Sequence, residues 1–412
     1  MEQTPIASRY HVAIFGATNA GKSALFNSIL GQEAVIVSEH QGTTTDPVLK
    51  AMELIPFGPI ALIDTAGLND LSAVGTLRIK KTLGIIDRTD LAIYAADITD
   101  FPRDDYENFT ALCEGKSLPH LLVLTKSDQA SSALIKARQE EFNHALFTSR
   151  DDQDSISHLK ESIAQELGKI QQNERDQSGE KSETLLGDLL PPNSTVVLVI
   201  PVDSAAPKGR LILPQVQLIR DCLDHGMKCF VTRERELGEA LANLKDVDLV
   251  VTDSQVFKIV NDIVPEDIPL TSFSMLLARQ KGDLEILMQG VEKIESLPRQ
   301  AKVLIAEACS HNQTHEDIGR VKIPALMQKL TGKDLNFTFY AGHDFPENLG
   351  DYDLVVHCGS CMINKKAFHT RIAKCMDLGV PITNYGIFLA YANGILPRCS
   401  EIFVKNVSSL SN

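Results

Sequence analysis

Residues 11–23 read HVAIFGATNAGKS, and their order decides the fold of the first part of the chain. His11 to Phe15 is a short apolar run of buried-strand type. The next eight residues, Gly16-Ala-Thr-Asn-Ala-Gly21-Lys22-Ser23, match G-x-x-x-x-G-K-S and lead into a predicted helix. A strand, a glycine-rich turn and a helix N-terminus make a phosphate cradle. The glycines let backbone N–H groups curl round a β-phosphate, and the helix adds the positive end of its dipole. In this reading Lys22 bridges the β- and γ-phosphates and the Ser23 hydroxyl binds Mg²⁺. The candidate nucleotide contacts of the loop are Gly16, Asn19, Ala20, Gly21, Lys22, Ser23 and Ala24.

Further strands follow at Ile60 to Ile63, Leu91 to Ala95 and Leu121 to Thr125, each succeeded by a loop and a helical pattern. Such alternation predicts an α/β fold, a doubly wound parallel sheet with helices on both faces. Asp64-Thr65-Ala66-Gly67 ends one strand, as a metal-organising Asp64 and a γ-phosphate-sensing Gly67 should. Thr125-Lys126-Ser127-Asp128 ends another. A carboxylate there accepts both guanine N1–H and N2–H₂, which selects guanine over adenine by hydrogen-bond matching. Gly42-Thr43-Thr44-Thr45-Asp46 lies between the first helix and the second strand, where a switch threonine reaches Mg²⁺. The candidate catalytic set is Lys22, Thr44, Asp64 and Gly67; the base set is Thr125, Lys126 and Asp128.

Over about residues 8–170 these motifs resemble the TrmE–Era–EngA-like GTPases. The resemblance implies GTP hydrolysis with Mg²⁺ and assigns the switch ligand to Thr44, the second threonine of its motif. It points to Thr148-Ser149-Arg150 as the fifth motif. Two positions depart from the pattern. Thr125 stands where asparagine is usual, and Leu68 occupies the place where Ras-like enzymes carry a water-orienting glutamine. Asn19 matches the asparagine with which related GTPases hold a potassium ion, a stand-in for an arginine finger beside the phosphates.

A second signal lies in the last third: Cys309-Ser310-His311, then His357-Cys358-Gly359-Ser360-Cys361. Residues 312–356 are too long an interval for one zinc-finger hairpin, so a whole domain must gather the two halves. Three cysteines supply three corners of a cubane iron–sulfur cluster and leave one iron for an exchangeable ligand. A zinc site would be closed by four ligands, and either His311 or His357 could complete it. Strand-like runs at 302–307, 336–340, 354–357 and 382–385 place both halves at the carboxyl ends of parallel strands, where open α/β sheets bind ligands. Cys113, Cys222, Cys229, Cys375 and Cys399 stand singly and read as small buried hydrophobes.

Between these signals, residues 171–183 (QQNERDQSGEKSE) lack apolar side chains and mark a linker or fraying helix end. Strands at 195–202, 228–232 and 247–252, with a helix at 235–244, suggest a small α/β module. The expected domains are a GTPase domain at 1–172, a small α/β domain at 173–264 and a third α/β domain at 265–412. Together with the split cysteine pattern, this arrangement resembles the HydF family of [FeFe]-hydrogenase maturation GTPases. That resemblance covers essentially the whole chain. It implies a cytoplasmic homodimer that binds a [4Fe-4S] cluster through Cys309, Cys358 and Cys361. His311 and His357 would then be ligands or hydrogen-bonding neighbours of the cluster. The implied role is scaffold or carrier of the diiron subcluster of hydrogenase. Its implied partners are two radical-SAM hydrogenase maturases and apo-[FeFe]-hydrogenase.

A net charge of −14 with no long Lys/Arg run argues against a nucleic-acid partner. Apolar runs such as 196–202 are too short to cross a bilayer, and the N-terminus reads as no secretory leader, so a cytoplasmic, membrane-free protein is expected. The competing readings are an RNA-modification or ribosome-associated GTPase with a structural zinc site, and a GTP hydrolase without cargo.

Overall fold

Strand β1 (Tyr10–Phe15) is central to a six-stranded sheet of order β2-β3-β1-β4-β5-β6. Its partners are β2 (Val48–Leu54), β3 (Gly58–Asp64), β4 (Leu91–Asp97), β5 (His120–Thr125) and β6 (Leu146–Phe147). The computed structural model describes residues 4–31, 47–65, 82–178, 184–202, 211–308, 318–342 and 344–408. It forms two compact units, Met1–Gln177 and Ser178–Asn412.

In the first unit, successive residues of a strand serve opposite layers. Val12 and Ile14 join Leu25, Phe26, Ile29, Leu159 and Ile163, the buried faces of helices Lys22–Leu30 and Gln153–Ser178. Ala13 and Phe15 pack on the other face with Phe109 and Cys113 of helix Arg103–Gly115. Burial on both faces explains the unbroken apolar runs, and each fully buried Ile or Leu contributes about 1.5–3 kcal/mol. β2 is the exception, antiparallel to β3 at the sheet edge. Most of its residues are half-exposed, so it lacks the apolar run that marks its neighbours. The polar stretch from residue 171 continues the helix as far as Ser178. Gln, Glu and Arg are good helix formers; their polarity reports exposure and leaves helicity open.

The second unit holds two four-stranded parallel sheets. One has the order β10-β9-β7-β8, from β7 (Thr195–Val199), β8 (Lys228–Thr232), β9 (Leu249–Thr252) and β10 (Leu270–Ser272). The other has the order β12-β11-β13-β14, from β11 (Lys302–Glu307), β12 (Asn336–Ala341), β13 (Leu354–His357) and β14 (Ile382–Asn384). The first of these sheets runs to Ser272, past the boundary expected at 264, because the short β10 pairs with β9. One hydrophobic core contains Val197 and Val250 of the first sheet and Val303, Ile305 and Leu354 of the second. Helix Leu396–Ser408 returns to the first sheet, where Ile402 packs with Val196 and Leu198. There the Thr271 hydroxyl donates to the Cys399 carbonyl at 3.0 Å. Arg398 donates to the Val264 carbonyl at 3.0 Å and to Asn261 Oδ1 at 2.9 Å. Two hydrophobic clusters thus bind the described segments of this unit, one shared by both sheets and one on the other face of the first sheet.

Candidate functional site

The phosphate loop joins β1 to helix Lys22–Leu30, and its conformation needs glycine twice. Gly16 has φ +133°, and a Cβ there would lie 2.0 Å from the Ala95 carbonyl oxygen of β4. Gly21 has φ +81° and precedes the first helical residue. Asn19 is also left-handed, with φ +63°, and is exposed; Ala20 beside it is buried. Lys22 is buried, and its ammonium donates to the Gly16 and Ala17 carbonyls at 2.7 and 2.6 Å. The charge is thereby held against the loop itself. Ser23 and Ala24 are exposed on the first turn of the helix.

Asp64 ends β3 in register with Ile14 and is buried. Next to it, the Thr65 hydroxyl donates to the Ile14 carbonyl at 2.6 Å and pins β3 to the strand that feeds the loop. Thr125 ends β5; its Oγ1 lies 2.8 Å from the Ala20 carbonyl and 3.1 Å from that of Ala96. A hydroxyl has one proton to give, yet either bond ties β5 to the neighbouring strand or the loop. The threonine in the asparagine position thus still reaches the phosphate loop.

Lys126 is left-handed at φ +56°, and its ammonium lies 2.6 Å from Asp97 Oδ2 at the end of β4. Burial works against ionisation of Asp97, but hydrogen bonds from Lys126 and Thr99 outweigh it and hold the carboxyl below its usual value. Asp128 sits exposed on the short turn Ser127–Gln129. The Ser127 N–H donates to the Thr148 carbonyl at 3.2 Å, which joins this turn to the candidate fifth motif. Gly21, Thr125, Lys126, Asp128, Ser149 and Arg150 line a cavity of about 260 Å³. The loop, the Thr125–Asp128 motif and the candidate fifth motif therefore face one space. Thr44, Gly67 and Leu68 lie outside the described residues.

In the second unit, β11 and β13 are neighbours in register, Ala306 opposite His357. The Cys358 N–H donates to the Ala306 carbonyl at 2.8 Å, and the Ala308 N–H donates to Cys358 Sγ at 3.0 Å. The chain leading to Cys309 thus leaves β11 beside Cys358. Cys309 and His311 themselves lie outside the described residues. Among the described residues, no three His, Cys, Asp or Glu side chains form a metal-holding group.

Burial pushes the Cys358 thiol up to about 11, with Cys361 adding to the effect and the Ala308 and Ser360 N–H groups opposing it. Burial also raises Cys361, opposed by Lys281. As free thiols both are protonated at neutral pH, whereas a soft metal ion would take them as thiolates. The donor chemistry suits iron–sulfur or zinc: two sulfurs of a C-x-x-C turn, N–H groups on one of them, and an ammonium on the carbonyls of that turn. Burial pulls the Lys281 ammonium down to about 8, while Cys361 and Cys358 pull it back up. Its Nζ donates to the Ser360 and Ile363 carbonyls, each at 3.3 Å.

His357 is fully buried, its ring against Phe368 with centroids 4.8 Å apart. Arg371 Nη1 donates to Nε2 at 2.8 Å, and the Arg371 Nη2 group donates to the Gly342 carbonyl at 2.8 Å. A guanidinium only donates, so Nε2 is the acceptor and Nδ1 carries the proton. That Nδ1–H donates to the Cys358 carbonyl at 2.9 Å. Burial, with Arg371 second, lowers the imidazole to about 3 and keeps it neutral. Both ring nitrogens are engaged, Nδ1 with the cysteine turn and Nε2 with Arg371. Lys281 and Arg371 escaped the sequence reading because neither belongs to a motif; Lys281 precedes Ser360 by 79 positions.

A glycine-rich loop at the end of β1, a buried Asp64 at the end of β3 and a base motif at the end of β5 define the N-terminal unit as a P-loop GTPase domain. Residues 11–126 match the family described as 50S ribosome-binding GTPase. Residues 185–282 match the hydrogen maturase F dimerization domain and residues 285–402 the hydrogen maturase F tetramerization domain; together these two span more than half the chain. The chain belongs to the hydrogen maturase F family, and its second unit carries that family's oligomerisation domains.

Curated relatives align over a shorter stretch. GTPase Der of Kosmotoga olearia is 33% identical over 141 residues, covering 33% of this chain and 32% of that protein. GTPase Era of Campylobacter jejuni is 33% identical over 132 residues, covering 32% and 44%. The tRNA modification GTPase MnmE of Mannheimia succiniciproducens is 35% identical over 161 residues, covering 38% and 35%. The chain thus spans 32–44% of these relatives' own lengths. Among solved structures, the G domain of the T. maritima FeoB iron transporter matches 39% of this chain and 99% of its own, with 24% identity and a TM-score of 0.32. No helix among the described residues is long and apolar enough to cross a membrane.

Proposed function

We propose that the chain is a cytoplasmic, GTP-hydrolysing maturation factor that holds a [4Fe-4S] cluster and carries the diiron subcluster to apo-[FeFe]-hydrogenase. The observation that supports this reading is the Ala308 N–H on Cys358 Sγ, which sets the residue before Cys309 against Cys358 in a chain that begins with a GTPase domain. Cys309, Cys358 and Cys361 would hold the cluster, with His357 fixing the turn and His311 either a ligand or a neighbour. When bound, the cluster supplies an iron with a position not filled by cysteine, at which cargo can attach. Radical-SAM hydrogenase maturases are the proposed source of the diiron cargo.

On the nucleotide side, Lys22 neutralises the β- and γ-phosphates, Ser23 and Thr44 hold Mg²⁺, Asp64 organises the metal, and Gly67 senses the γ-phosphate. Thr125, Lys126 and Asp128 receive the guanine. Hydrolysis can time cargo release only if GTP binds two conformations with different affinity. Homodimer formation is supported by β8, an edge strand with Phe230 and Val231 exposed, since such edges are covered in stable assemblies.

Anaerobically reconstituted, reduced protein should give the low-temperature EPR signal of a reduced [4Fe-4S] cluster, with matching iron and sulfide. A silent sample holding stoichiometric zinc would instead favour an RNA-modification or ribosome-associated GTPase. Asn19 leads to a second expectation: GTP turnover should be faster in potassium than in sodium salts, and equal rates would exclude a potassium role for this residue.

A further inference from the structure

Lys281 ends helix Phe273–Lys281, within the residues matched to the dimerization domain, while both cysteines of the turn lie within the tetramerization domain. Its side chain nevertheless crosses to the cysteine turn, where the ammonium donates to the Ser360 and Ile363 carbonyls. The residue is only 5% exposed. Burying an ammonium costs several kcal/mol unless charge or hydrogen bonds offset it. Two carbonyls at 3.3 Å offset part of that cost. Ser360 and Ile363 stand on either side of Cys361, so these bonds set the ammonium beside the C-x-x-C turn. Protonated thiols carry no charge to offer. Thiolates that hold a metal would place negative charge where the ammonium already is.

We propose that Lys281 is the fixed countercharge of the metal-holding thiolates, through which the dimerization segment sets the charge balance of the cluster site. This rests on the cluster reading above. A positive charge beside a cluster favours its more negative, reduced form, because net charge and hydrogen bonding to sulfur tune reduction potentials. Lys281 is a positioning residue and touches no reacting atom.

The test compares wild type, K281Q and K281M, reconstituted anaerobically, by iron and sulfide content and by EPR-monitored redox titration. K281Q keeps a donor for the carbonyls and removes only charge; K281M removes both. The expected result is a cluster in K281Q whose reduced-to-oxidised ratio at a fixed potential falls at least about tenfold, roughly a 59 mV negative shift for one electron. Loss of iron from K281Q in a chain that still hydrolyses GTP would also support the charge role. A wild-type potential in K281Q overturns it and leaves Lys281 a structural donor. A wild-type chain that takes up no iron–sulfur cluster would remove the cluster reading first, and this inference with it.

Discussion

Lys22→Ala is expected to lower GTP turnover by about 10²–10³-fold, equivalent to roughly 3–4 kcal/mol of lost transition-state stabilisation. The ammonium is already held over the loop by the Gly16 and Ala17 carbonyls, so little reorganisation is needed to meet a phosphate. Phosphoryl transfer depends almost wholly on positioning and charge, and alanine removes both at this point. Steady-state phosphate release, with nucleotide affinity measured alongside, reads the effect. The same variant should assemble its cluster normally, because loop and cysteine turn belong to separate compact units. Turnover near wild type would remove Lys22 from the catalytic set. Cluster loss would show that the units depend on one another.

Cys358→Ser should strip most of the bound iron while GTP turnover stays near wild type. Serine keeps the size and can still accept the Ala308 N–H, but its oxygen is hard and seldom ionised, a poor ligand for an iron–sulfur cluster. The fold should tolerate the change because the acceptor role at that position survives. Iron and sulfide per chain and the EPR amplitude of the reduced sample measure the outcome. Iron content equal to wild type would exclude Cys358 as a ligand.

Much of the fold was legible in the sequence. β8, β11 and β13 occupy the residues that their apolar runs predicted; β11 and β13 are buried in a parallel sheet and carry little polarity to blur their limits, whereas β8 is an exposed edge strand. β2, β6 and β10 were not legible. β2 is a half-exposed edge strand, β6 has two residues and β10 three, so no window of periodicity reveals them. Residues 171–178 read as a linker or fraying helix end, and they form the end of the helix, since exposure alone made them polar. The partition of the second unit was equally hidden: helix Leu396–Ser408 packs on a sheet formed far earlier in the chain.

The sequence by itself determined the phosphate loop, the base motif and the C-x-x-C turn. Their chemistry lies in consecutive residues, and the loop works through backbone groups that a short peptide already specifies. Tertiary structure alone decided that Thr125 ties β5 to the loop, that Arg371 fixes the His357 tautomer, and that Lys281 reaches the Ser360 and Ile363 carbonyls of the cysteine turn. Each of these depends on strand order and on side chains brought together across long separations. Hydrophobic periodicity says which faces are buried; it does not say which buried faces meet.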